Sequence, residues 1–216
     1  MDLSKKVQLR LLWIAVFGIC LLPFLAVVLA AVQQTLGADP AKEIVLELGT
    51  WAIILLWASL AVTPLRKLLK WSWLAKYRRM LGLYSFFYAS MHLLAFATFM
   101  VGWDLDILFL ELTQRLYAIA GFAGLLLLIP LALTSTKKMQ KRLKQNWLKL
   151  HKLVYVVALL SLLHIVWQIR SDYSEALIYG LLLCWMLGYR YYIRTCAAQK
   201  RKQSVMVQHD KVGTHQ

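Results

Sequence analysis

Six stretches of roughly 20 mainly apolar residues, joined by short loops, limit what this chain can fold into more than any other feature of it. They fall near residues 11–32, 48–65, 80–101, 116–133, 149–168 and 175–193. At about 1.5 Å of rise per residue, each can cross a hydrocarbon core of about 30 Å as a helix. With 61% of its 216 residues hydrophobic and 16% charged, the chain has too little polar surface to coat a soluble domain of that size. The expected fold is therefore all-α: a polytopic bundle of six transmembrane helices over residues 1–196, then a polar tail over 197–216 that reads as disordered. The first apolar run follows Lys5, Lys6 and Arg10, as a signal peptide's would. It is longer than a signal-peptide core, so it is retained as the first helix. Pro23 and Pro130 lie inside or near the ends of spans, where neighbouring helices can satisfy the carbonyls they free. No internal repeat is evident.

Charge orients the bundle. The formal net charge of +15 would suit a nucleic-acid binder only if it formed a basic face on a soluble fold, and here it does not. Instead, 22 of the 25 Lys and Arg residues fall in the N-terminal segment, segments 66–79 and 137–152, and the C-terminal segment. Eight of the ten acids fall in the other three loops. By the positive-inside rule the basic end is cytoplasmic, both termini lie there, and the partner of the surface is membrane lipid rather than nucleic acid. Cys20, Cys184 and Cys196 show no CxxC spacing and read as packing residues or inert thiols.

Loops this short leave chemistry to the helices. His92 is embedded in the third run, and His151 and His164 lie on the fifth, while His209 and His215 sit in the tail. A single histidine in a membrane helix often does no more than hydrogen-bond to a neighbour. Two at one depth are a different matter. The third and fifth spans run in the same direction, and His92 and His164 lie about 18 and 24 Å from its starting boundary at ~1.5 Å per residue. Two neutral imidazoles on facing helices at one level are what a low-spin haem iron takes as axial ligands, so His92 and His164 are the expected metal ligands. No CxxCH motif is present, so the haem would be b-type, bound noncovalently.

His151 lies about 20 Å below His164 along the axis, too far to share its iron. The positions facing His151 on the third span are Arg78 and Arg79, and arginine does not normally ligate iron. The inner site therefore reads in two ways: a second haem with His151 and an unusual second ligand, or a flavin whose phosphate the arginines would suit. Arg78 and Arg79 also read as ordinary anchors at the membrane surface. Thirteen residues at about 100° each leave His151 and His164 some 140° apart around an ideal helix, so a kink or a differing approach to their sites is required. No nucleophile triad, phosphate loop or HExxH pattern is present, and no complete substrate site is legible.

Several stretches resemble one family: Leu36-Gly37-Ala38-Asp39-Pro40 after the first span, Thr63-Pro64-Leu65-Arg66 ending the second, and Arg78-Arg79-Met80-Leu81-Gly82-Leu83 opening the third. Thr134-Ser135-Thr136 and the run from Trp147 through His151 to Tyr155 complete the pattern. Together they resemble the MsrQ haem-binding membrane subunits of bacterial periplasmic methionine-sulfoxide reductase systems, within the ferric-reductase-like transmembrane superfamily. The resemblance implies residence in the bacterial inner membrane, b haem on His92 and His164 with His151 involved, and bound FMN. It further implies electrons arriving from quinone or a cytosolic flavin reductase and passing to a periplasmic molybdenum-cofactor subunit that reduces protein methionine sulfoxide. NADPH oxidases of the superfamily carry two histidines on each ligand helix, whereas this chain has only His92 on the third. Lys144 stands where the family would place glycine. The competing readings are a stand-alone ferric or quinone reductase, and a cofactor-free transporter or assembly factor.

Overall fold

The computed structural model describes residues 3–169 and 172–213. Six of its helical segments are long and apolar enough to cross a membrane: Val7–Val32, Pro40–Leu68, Arg78–Met100, Leu116–Leu133, Gln145–Gln168 and Ser174–Ile193. They belong to helices α1 (Leu3–Val32), α2 (Pro40–Leu68), α3 (Arg78–Ala95), α5 (Leu116–Leu133), the pair α7 (Gln145–Leu150) and α8 (Leu153–Gln168), and α9 (Ser174–Gly213). Two short helices complete the order: α4 (Leu105–Gln114) at the acidic end and α6 (Lys137–Leu143) at the basic end.

Several boundaries depart from the sequence expectation, each for a local reason. α2 begins at Pro40 rather than near 48, because Asp39 accepts the Lys42 N–H as an N-cap and Pro40 occupies the first helical position, where a missing N–H costs nothing. α4 forms where only a loop was expected: the Asp104 carboxylate accepts from the N–H groups of both Asp106 and Ile107. The tail expected to be disordered from residue 197 is helical to Gly213, the straight continuation of α9 through Ala, Gln, Lys and Arg, all good helix formers. Between α7 and α8 the chain tightens into a turn at His151 and Lys152, whose dihedrals stay in the right-handed helical region while Lys152 and Tyr155 donate to carbonyls three residues back. Lys144 takes φ 47° and ψ −117° between α6 and α7, the left-handed backbone that explains why glycine would suit this position.

Two antiparallel pairings, α2 with α3 and α5 with α8, dominate the packing. One core cluster joins α1, α2 and α3 through Cys20, Leu48, Leu55, Met80, Tyr84 and Tyr88. A second joins α2, α5, α8 and α9 through Trp57, Leu60, Leu128, Val157, Leu183 and Met186. Lipid tails are as apolar as these side chains, so the helices are held by close packing and polar crosslinks more than by exclusion from water. Tyr88 is one such link: its hydroxyl donates to the Cys20 carbonyl at 2.8 Å and accepts from the Phe24 N–H at 2.9 Å. It thereby bridges a carbonyl and an N–H four residues apart in α1, on either side of Pro23.

Candidate functional site

α3 and α8 bring His92 and His164 face to face. Their ring centroids are 6.1 Å apart, with the ring planes at 89°. Each ring is held the same way from behind. His92 Nδ1 lies 2.7 Å from the carbonyl of Val45 on α2, and His164 Nδ1 lies 2.6 Å from the carbonyl of Tyr117 on α5. A carbonyl can only accept, so Nδ1 carries the proton in both rings and Nε2 keeps its lone pair. That is the tautomer a metal ligand needs, fixed by a backbone partner on the far side of the ring.

Each brace depends on a glycine. A helical carbonyl normally has the side chain four residues on beside it, and at those positions stand Gly49 and Gly121. A Cβ on Gly49 would lie 2.9 Å from His92 Nδ1, and one on Gly121 would lie 2.6 Å from His164 Nδ1. The imidazoles occupy the space those side chains would fill. Both bonds span 47 positions, so α2–α3 and α5–α8 repeat one bracing device although the sequence shows no repeat. One turn beyond His92 the chain widens into a π-helical turn, Phe96–Met100.

A metal–imidazole bond of about 2 Å, plus roughly 1 Å from ring nitrogen to ring centre, puts two trans imidazole centroids about 6 Å apart on either side of one ion. The observed 6.1 Å fits that requirement. Among the described residues no three His, Cys, Asp or Glu side chains gather as a metal site, and a haem iron needs only two from the protein. The donor set thus suits bis-imidazole haem.

The other candidates lie at the basic end. His151 caps α7, its ring stacked on Trp147 at 4.0 Å, and its buried Nδ1 has no hydrogen-bond partner. Arg78 and Arg79, at the start of α3, are both exposed, and the Arg78 carbonyl accepts from the Ser59 hydroxyl at 3.2 Å. His209 and His215 have side chains outside the described residues. Sequence reasoning missed Arg190. It was one basic residue among many, yet it is only 8% exposed.

Comparison with known proteins adds the following. Residues 48–162 match a family model described as ferric reductase like transmembrane component, a stretch that contains His92 and His151 and stops two residues before His164. A relative from Xanthomonas axonopodis pv. citri, named protein-methionine-sulfoxide reductase heme-binding subunit MsrQ, is 45% identical over 77% of this chain and 77% of its own length. A protein of the same name from Xanthomonas campestris pv. campestris is 46% identical over 76% of each chain. One from Ralstonia nicotianae is 40% identical over 85% of this chain and 86% of its own. No solved structure matches.

Proposed function

This chain belongs to the MsrQ family of ferric-reductase-like transmembrane proteins, and from that premise we propose that it is a haem-binding redox subunit carrying electrons across the bilayer to a catalytic partner. One observation carries the reading: two imidazoles on separate spans, each with Nδ1–H tied to a backbone carbonyl, face each other at 6.1 Å. Histidines needed only for helix packing have no reason to bring their rings within 6.1 Å of each other, each held by a carbonyl on a further span.

Haem b, when bound there, supplies a one-electron centre. The chain's own contribution is to hold the His92 and His164 rings in fixed orientation, with the proton on Nδ1, so that Nε2 of each would be free to take a metal. The carbonyls of Val45 and Tyr117 fix both rings. The names of the relatives support a catalytic partner that reduces protein methionine sulfoxide. On the family resemblance we assign that partner a molybdenum cofactor and a periplasmic location. We likewise assign this chain FMN near His151 and Arg78, and electron supply from quinone or a cytosolic flavin reductase.

The test is a reduced-minus-oxidised spectrum of the purified protein, with haem and flavin quantified chemically. Low-spin b haem in stoichiometric amount is the expected result, and a colourless protein from cells with ample haem precursor would refute the reading. Orientation is separately testable. The 22 to 3 division of basic residues supports a cytoplasmic basic end, and the family resemblance supports a bacterial inner membrane. Reporter fusions after Gln33 and Asp106 should therefore read as periplasmic, and fusions after Lys70 and Lys141 as cytoplasmic. A cytoplasmic signal after Asp106 would overturn that orientation.

A further inference from the structure

Arg190 occupies a position where the bundle calls for an apolar residue. On α9 the buried face runs through Ala176, Leu183 and Met186, and Arg190 continues it at the same helical spacing. It lies three residues before the end of the span at Ile193. An arginine so near the interface can snorkel to water at little cost, yet this one turns inward and is 8% exposed.

Part of the reason lies in α2. Pro64 has no N–H, so the carbonyl of Leu60, four residues earlier, loses its helical partner. Arg190 Nη2 donates to that carbonyl at 2.5 Å. A neutral side chain such as Gln could do as much without burying a charge. The guanidinium carbon lies 5.2 Å from the centroid of the Tyr155 ring, a partial counterweight from the ring face, but no anion meets the charge among the described residues. Arg190 Nη1 donates to the Tyr155 hydroxyl, leaving the phenolic proton free to donate in turn, and Arg190 Nε is buried without a partner. The Arg78 carbonyl accepts from the hydroxyl of Ser59, the neighbour of Leu60 in α2, which puts the start of α3 at the same level. His151 stands four residues before Tyr155 and completes the group. Eight of the ten acids lie at the opposite end of the bundle, and the other two, Asp2 and Asp210, have side chains outside the described residues. Among the described residues, therefore, donors and cations converge here with no carboxylate to receive them.

We propose that Arg190, with Arg78 and the Tyr155 hydroxyl, forms an oxyanion pocket that holds the acidic group of a cofactor bound beside His151. Leu60 lies 15 positions along α2 from Val45, or about 22 Å, so this anion belongs to an inner cofactor and not to a haem at the level of His92. The chemistry suits a phosphate monoester, as on FMN, or a haem propionate carboxylate, since guanidinium groups bind both in the same bidentate manner. The pocket rests on the inner-cofactor reading given above.

The experiment uses the full chain in detergent, wild type and Arg190→Gln, with the His92–His164 haem spectrum as the measure of folding. Flavin-depleted wild-type protein should bind FMN at least about tenfold more tightly than riboflavin, which lacks the phosphate, and Arg190→Gln should abolish that preference. Loss of a second haem component from Arg190→Gln, with flavin binding unchanged, would support the pocket with a propionate as its anion. If the variant keeps flavin preference and total haem at wild-type levels, the pocket is refuted and Arg190 only caps the Leu60 carbonyl. If wild type itself holds neither flavin nor a second haem, the inner-cofactor reading fails, and the pocket fails with it. Should Arg190→Gln lose the outer haem too, Arg190→Lys, which keeps the charge and a donor for Leu60, decides: a weakened preference supports the pocket and an unchanged one refutes it.

Discussion

Replacing His92 or His164 by alanine should remove one and the same low-spin haem component, and replacing both should remove no more than either does alone. The argument is geometric. At 6.1 Å between centroids, with each Nδ1 committed to a carbonyl, the two rings have one metal position between them, not two. A haem iron that loses one imidazole leaves the six-coordinate low-spin state, so each single change takes the whole signal. Absorbance of the component should fall at least about tenfold, because second-shell losses alone already cost 10- to 100-fold in metal affinity. Added imidazole should restore much of it in His92→Gly, which distinguishes a missing ligand from a misfolded bundle. His151→Ala should leave the component in place, since its ring lies about 20 Å lower along the chain axis. If His92→Ala and His151→Ala removed the same component while His164→Ala spared it, the pairing argued here would be wrong.

The depth of the histidines was legible in the sequence because helical rise is uniform: counting residues from the basic end put His92 and His164 at one level without any knowledge of packing. The bracing was not. Nothing in a single sequence says that the carbonyl behind His92 belongs to Val45 on another span, because a backbone acceptor carries no residue identity. The available signal was weaker: Gly49 and Gly121 lie in apolar helices, where glycine costs order unless something needs its empty space.

Arg190 was hidden for the opposite reason. The positive-inside rule accounts for basic residues near a span's end so readily that one more attracts no notice. Its distinguishing feature, burial on the inward stripe of α9 opposite the carbonyl freed by Pro64, combines two helices 130 positions apart. Arg78 and Arg79 were indistinguishable by type and spacing alone. The fold leaves both side chains exposed, and it ties the Arg78 carbonyl to the Ser59 hydroxyl on α2. The helical caps at Asp39 and Asp104 were legible in principle, as an acid before Pro40 and an Asp two residues before Asp106, but a reading led by hydropathy passes over polar helix starts.

Gly121→Ala should release haem from a protein that still folds. In an ordinary helix interior the change would be favourable by about 0.5–1 kcal/mol, because alanine loses less backbone freedom than glycine. Here the added carbon would sit 2.6 Å from His164 Nδ1, closer than any real contact of that kind. The atom it meets is not a free chain end: the ring is fixed by the Tyr117 carbonyl on one side and, in the loaded protein, by the metal on the other. One of those bonds must lengthen, and either outcome weakens ligation by about the 10- to 100-fold that such supporting contacts command. Gly49→Ala should do the same to a smaller extent, its carbon falling 2.9 Å from His92 Nδ1. Gly18→Ala on α1 is the control, since a carbon there meets nothing within 4 Å, and it should leave haem content and thermal stability unchanged or slightly raised. The measurement is haem per protein after purification, together with the midpoint potential of whatever haem remains. Wild-type haem content and an unshifted potential in Gly121→Ala would mean that the ring has room the structure does not give it, and the bracing of His164 by the Tyr117 carbonyl would have to be abandoned.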